Sequence, residues 1–541
     1  MQQQPAPPPR PTYAQVAFRT LQFAVLLAAG AQVAIDRSFD NLVASVLVLM
    51  SSTVTLQYLQ RTRAFTDLPI SAFAVLGLCI TTQWGALVAQ SIAWTPVAEK
   101  LWDPIRTFSW LGLFQLVAVL AHWLFRSLRF TMTARDVMAV QVMRPLGIFQ
   151  LPSCGNLWVM GAVGLAAMLA SGTAGDTGAG NKLLSGLTFL AWAPFIIPVL
   201  HQRHGKAYCD IHPQSIALGI YFFMAGAVGM ALNFRAVLFA GVVTALLLFL
   251  LLVLGDERPA QLPKPWKILL AVIIGSLAVA YAGDLAMAMA IARKDRGSAS
   301  LLTMIQETFL ALSDRKVMEV YRAADLETAM LGTYSEVYIS NHAVARFVET
   351  KFHDNALFLS KNLQLAEIAE LRRVTSDRLW GILPKPVLGW IGVSLNKEVE
   401  QAFSMGDFFD YLKHGNMLGG FKTGSIFGHG LALFPFGFPF IYFLICLVLF
   451  LMWDMQSRRT SLGLVEISPL AMLSTYRLFT YGITSESLAA TAAFPLRGVW
   501  QSVALYALVF WVSRLVFKPF DPAAAKADSA LIAADIVGRR R

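Results

Sequence analysis

Charge is what this chain has least of. Only 14% of its 541 residues are Asp, Glu, Lys or Arg, while 56% are hydrophobic. A soluble domain carries about a quarter charged residues, so a water-surrounded globule is excluded and a polytopic membrane protein is expected. Cysteine is scarce as well. Cys79, Cys154, Cys209 and Cys446 are the full set, and none lies in the long polar interval 293–430. That interval has no disulfide to order it and must rely on packing. A domain with clustered basic and aromatic residues is missing, which argues against a nucleic-acid partner. No internal repeat is visible, and the Gln/Pro-rich stretch from Met1 to Pro11 does not look like a cleaved signal.

What is present is a series of apolar runs of the length that a bilayer core of roughly 30 Å demands. About twelve are expected, near 14–35, 40–59, 68–94, 104–126, 156–172, 182–200, 213–232, 234–255, 268–292, 432–454, 468–486 and 498–517. The weakest is 468–486, which carries Arg477 and many hydroxyls. The fold class is therefore an all-α polytopic membrane protein with one large, mostly helical loop. Its parts are a tail (1–13), nine spans (14–292), the loop (293–430), three more spans (431–517) and a second tail (518–541).

The loop holds 16 basic and 16 acidic residues, which leaves 28 bases against 17 acids elsewhere. That excess falls in alternate short loops: Arg61 and Arg63; Arg126, Arg129, Arg135 and Arg144; Arg203 and Lys206; Arg258, Lys264 and Lys267; Arg458 and Arg459. By the positive-inside rule these face the cytoplasm. Both termini are then inside and 293–430 outside, in the periplasm of a bacterial inner membrane.

Helical spacing marks three parts of the loop: Ser300 to Tyr334, Asn355 to Glu370 and Lys397 to Leu412. Four constellations offer chemistry. Gly415 to Gly430 has six glycines, including Gly424 and Gly428, with Lys422 among them. Such backbone approaches an anion closely. Arg372, Arg373, Arg378, Trp380 and Lys385 combine guanidinium groups for phosphate with a stacking face for a sugar. Arg346, Glu349 and His353 would share one helical face, where His or Glu serves as a general base. Within the spans, Asp284 and Arg477 are intramembrane charges, expected to pair or to mark a pathway. The run from His201 to His212 looks superficially like a zinc site but lacks a matched Cys pair, so no metal is expected.

The span count, the large outer loop and two local patterns resemble the Wzy-type polymerases of lipid-linked oligosaccharide repeat units, GT-C-like membrane glycosyltransferases. Arg378-Leu-Trp380 followed by Pro384-Lys385-Pro386 is similar to that family's Pro-Arg…Trp-Pro…Lys-Pro element. Thr423 to Gly428 followed by Phe436-Gly437 is similar to its Ser-x-x-Phe-Gly-Glu…Asn-Phe-Gly element, with His429 where Glu is common. The resemblance implies transfer of a glycan from an undecaprenyl diphosphate carrier onto an incoming lipid-linked repeat unit, without cofactor or metal. It also implies a flippase and a chain-length regulator as partners. On that reading Arg372, Arg373, Arg378, Lys385, Lys422 and the amides of Gly424 and Gly428 neutralise the diphosphate. His429 or His353 takes the acceptor proton, and Trp380, Arg346 and Glu349 hold sugar. A transporter or flippase, or an O-antigen-ligase-like transferase, is the alternative.

Overall fold

A computed structural model describes residues 11–173, 179–234, 237–260, 264–293, 300–330, 334–397, 399, 402–460 and 465–521. Most of both tails, 1–10 and 522–541, lies outside the described residues. Ten helices among those described are long and apolar enough to cross a membrane, which makes this a multi-pass membrane protein. Nine precede the large loop: α1 Tyr13–Ile35, α2 Phe39–Arg61, α3 Pro69–Ile92, α4 Pro104–Ser127, α5 Cys154–Ser171, α6 Gly180–Ala207, α7 Ile211–Ala231, α8 Val237–Leu254 and α9 Pro265–Ala292. The loop contributes α10 Leu301–Ser313, α11 Arg315–Met330, α12 Thr350–Lys361, α13 Leu365–Trp380, α14 Lys385–Trp390 and α15 Met405–His414. The chain closes with α16 Ile426–Leu433, α17 Phe438–Asp454 and α18 Leu488–Ser513. Among the described residues the strands form one short antiparallel pair, Ser457–Arg459 against Val465–Ile467.

The last three expected spans differ most. The run 432–454 is two helices, α16 and α17, because Pro435 and Pro439 with Gly437 interrupt the backbone between them. The run 468–486 is broken into Pro469–Leu473 and Thr475–Tyr481. At 1.5 Å per residue neither piece exceeds about 11 Å, far short of a bilayer. The last helix compensates by starting at Leu488 rather than near 498. In the loop, 355–370 is not one helix. Asn362 ends α12, and a Gln364–Glu367 capping box starts α13. The third candidate begins later than Lys397, at the box formed by Ser404 and Asp407.

Without water, helices associate through close packing and hydrogen bonds. Gln115 Nε2 donates to Thr55 Oγ1 at 3.1 Å, Tyr58 Oη meets His122 Nδ1 at 2.7 Å, and His122 Nε2 meets Ser71 Oγ at 2.9 Å. The Ser71 amide then donates to the buried Asp454 at 3.2 Å. These contacts tie α2, α3, α4 and α17 together.

The loop does not stand clear of that bundle. Midway along α3, residues Ile80–Trp84 form a π turn, which takes backbone carbonyls out of the α-helical pattern. The Thr81 carbonyl accepts from the Glu349 amide at 2.8 Å, and the Thr82 carbonyl accepts from Thr350 Oγ1 at 2.8 Å. At the other side of α12 the buried Asp354 carboxylate accepts from the Trp102 amide at 2.9 Å, Thr107 Oγ1 at 2.9 Å and Lys351 Nζ at 2.9 Å. The entry to α12 is thus pinned beside the midpoint of one span and the start of the next.

Candidate active site

Two helices set the site. α12 and α16 cross closely because Gly428 faces Ala356: a Cβ on Gly428 would sit 2.5 Å from the Ala356 carbonyl carbon. Gly424 is hemmed in likewise, its missing Cβ 2.6 Å from the Glu486 carbonyl oxygen. Both glycines serve helix and loop packing rather than a phosphate cradle. Ser425 caps α16 by accepting from the amides of Phe427 and Gly428 at 3.1 and 3.4 Å. Its own hydroxyl hydrogen is left for His353 Nδ1, 2.7 Å away. The imidazole therefore carries its hydrogen on Nε2.

Among the described residues His353 Nε2 has no hydrogen-bond partner, although the residue is buried. Glu349 lies one turn earlier, its Oε2 3.9 Å from that nitrogen, and its Oε1 makes no hydrogen bond among the described residues, although the Thr81 hydroxyl favours its ionised form. Burial raises the Glu349 carboxyl to about 8 and lowers His353 to about 3, so the imidazole is neutral. Both side chains border a cavity of about 340 Å³. Its other walls include Arg477, Tyr481, Thr484 and Glu486 from the broken region between α17 and α18, Phe494 of α18, and Thr423 and Gly424 of the loop. Arg477 stacks over the Phe494 ring, 5.4 Å from its centroid. Behind Glu486 stands Arg378, its Nη1 3.9 Å from Oε1 and its Nη2 donating to the Phe403 carbonyl at 2.7 Å. The enclosure holds two carboxyl groups and the Arg477 guanidinium around an imidazole donor, a set suited to moving a proton beside a bound anion.

The other expected residues lie elsewhere. His429 is fully buried, with Nδ1 accepting from the Leu488 amide at 3.2 Å and Nε2 against Thr375 Oγ1 at 2.8 Å. Burial, then the Arg378 charge, lowers it to about 3. With both nitrogens engaged, the ring links α16, α13 and α18. The glycine-rich loop binds an anion, but the anion is the protein's own. The amides of Phe421 and Lys422 donate to the Asp407 carboxylate at 2.8 and 2.9 Å, and the Thr423 amide donates to Glu336. Lys422 Nζ pairs with the buried Asp410.

α13 divides its cations between two faces. Leu371, Val374 and Thr375 pack inward with Arg378, whereas Arg372, Arg373 and Trp380 are exposed. Arg373 is held by Glu370 at 2.7 Å and Asp377 at 3.0 Å. Lys385 is exposed on α14. Arg346 sits in a separate 3-10 turn, Val344–Phe347, so the expected single helical face of Arg346, Glu349 and His353 reduces to Glu349 and His353 at i, i+4. Asp284 does not pair with Arg477; it accepts from Arg322 at 2.7 Å. Ser425 and Glu486 were not anticipated. The clue to Glu486 was an acid between two serines at the end of a doubtful span.

The chain matches no family model, no curated protein and no solved structure.

Proposed function

We propose that the cavity is the active site of a membrane glycosyltransferase that extends a glycan on a lipid carrier, at the outer side of a bacterial inner membrane. The observation that carries this reading is one enclosure that combines His353 Nε2 and Glu349 Oε1, neither hydrogen-bonded among the described residues, with the Arg477 guanidinium. Buried polar atoms without partners are costly unless something else binds them. On this reading the acceptor hydroxyl lies between Glu349 and His353, and Glu349 takes its proton. The hydroxyl oxygen attacks the anomeric carbon of the donor, and the bond from that carbon to the diphosphate oxygen breaks. The electron pair leaves with the diphosphate, whose growing charge Arg477 neutralises directly and Arg378 from behind Glu486. Leaving-group stabilisation of this kind is worth about 3 to 4 kcal/mol per preorganised donor. The carrier is undecaprenyl diphosphate, and the acceptor an incoming lipid-linked repeat unit.

Side entry for such a lipid finds support in α9. From Pro265 to Tyr281 every residue is exposed, and among the described residues the helix joins the rest near its end: Gly283 lies against Asn341, Asp284 pairs with Arg322, Met287 and Ala288 pack with Ala311 and Met318, and the Met289 carbonyl accepts from Asn233. Acyl chains, or a polyprenyl chain, would occupy the space beside it.

Transport is the second reading, and the buried Tyr58–His122–Ser71–Asp454 chain favours it, since intramembrane ionisable groups mark proton paths in transporters. One experiment separates the two. Purified protein in nanodiscs receives undecaprenyl-diphosphate-linked oligosaccharide, and chain length is followed by gel and mass spectrometry. Elongation in wild type, lost in Arg477→Ala, supports transfer. Absence of elongation together with movement of the lipid-linked unit across proteoliposomes supports transport.

A further inference from the structure

Beyond α13 the chain makes a compact turn around α14. Ile382 and Leu388 face inward, and Lys397 Nζ reaches back to the Gly381 carbonyl at 3.0 Å and to the Leu383 carbonyl. The turn presents an apolar tip outward: Trp390 is 85% exposed, with Ile391, Trp380 and Leu379 also exposed. A helix of six residues has no second face on which to bury them.

Three cations gather around this tip from separate parts of the chain. Lys385 lies at the start of α14, Lys182 near the start of α6 and Arg497 in the first turns of α18. All three are exposed. The start of α6 packs on α18, where a Cβ on Gly186 would lie 2.7 Å from Gln501 Nε2, and α13 packs on the first residues of α18; in keeping with that geometry, burial and then the like charges of Lys182, Arg497 and Lys385 lower the affinity of Lys397 for its proton. Leu496 and Trp500 project from the same part of α18, also exposed. Because α6 and α18 cross the membrane, these ends lie at its edge, on the side that carries the loop.

In water the arrangement is unfavourable twice over, through wetted indoles and mutually repelling ammonium and guanidinium groups. In the headgroup layer both effects reverse. Tryptophan prefers that zone, and clustered Lys and Arg are attracted to anionic lipid. We propose that residues 379–397, with Lys182 and Arg497, form a foot that rests in the outer headgroup layer and binds anionic phospholipid. The foot continues directly from α13, the helix that carries Arg378, so it holds the roof of the cavity at a fixed height above the bilayer. Glycosyl transfer is not required for this contact to exist.

Quenching tests the placement. The full chain is reconstituted in nanodiscs of phosphatidylglycerol and phosphatidylcholine, with or without bromine near the carbonyl end of the acyl chains. The fluorescence of Trp390 is taken as wild type minus Trp390→Phe. Quenching of that component at least twofold by bromolipid is expected. A component insensitive to bromolipid and quenched by aqueous acrylamide overturns the proposal. The charge arm uses the triple variant Lys182→Glu, Lys385→Glu, Arg497→Glu, exposed positions whose replacement leaves the core intact. Phosphatidylglycerol retained in native mass spectrometry falls at least twofold in that variant, whereas retained phosphatidylcholine does not. Equal retention of phosphatidylglycerol by the two proteins also overturns it.

Discussion

Ser425 Oγ lies 2.7 Å from Nδ1 of His353, and this contact decides which side of the imidazole carries its hydrogen. With Ser425 donating, Nε2–H points toward Glu349 and the cavity. Ser425→Ala removes two functions, the cap on α16 and the tautomer lock. The cap contributes about 1 kcal/mol, so a modest fall in melting temperature is expected. The lock predicts more: glycan elongation falls by far more than stability does, and Ser425→Thr restores it. A variant that melts earlier yet elongates at the wild-type rate contradicts a positioning role.

The α12–α16 crossing depends on Gly428. Gly428→Ala brings a methyl group against the Ala356 backbone, where neither helix can yield without moving Glu349 or His353. Overpacking of this kind costs about 1–3 kcal/mol. Thermal unfolding in detergent micelles measures it, and an unchanged midpoint argues against the crossing as described.

His429 is expected to matter for stability and not for proton transfer. His429→Ala strands the Leu488 amide, at about 1–3 kcal/mol for a buried donor left unsatisfied, while the Thr375 hydroxyl keeps its bond to the Leu371 carbonyl. Denaturation should show the loss, while the residual activity keeps the wild-type pH profile. A displaced pH profile in a variant of undiminished stability reverses this assignment.

Much of the architecture was legible in the sequence. Nine apolar runs stand as helices close to their expected bounds, because length and hydropathy are what a bilayer selects. The same criterion failed at 468–486. That run is only weakly apolar, with Arg477 near its middle, and Pro469, Gly482 and its hydroxyls favour short turns that line a cavity. Residue type alone was a poor guide at the glycine-rich stretch. Its backbone does bind a carboxylate, and only tertiary structure reveals that Asp407 and Glu336 already supply it. Likewise, helix periodicity placed Arg372, Arg373 and Arg378 near one another in sequence but on different faces of α13. His353 and Glu349 were visible as candidates. The open Nε2 of His353, where His429 has both nitrogens engaged, is a property of packing.

The glycine-rich loop itself gives a fourth expectation. Asp407→Ala frees the amides of Phe421 and Lys422, so deuterium exchange at 419–423 should quicken by an order of magnitude or more. Unaltered exchange there shows that another group fixes the loop.

The most direct test of the central claim is the pH dependence of elongation in nanodiscs, wild type against Glu349→Gln. Burial raises the Glu349 carboxyl to about 8, so the ionised form that accepts a proton grows as pH climbs from 6 toward 8. The wild-type rate should rise across that range and level off above it, and Glu349→Gln should lose at least a hundredfold with the rising limb gone. A glutamine variant that elongates at the wild-type rate, with the same limb, contradicts the assignment of this cavity as the reaction centre.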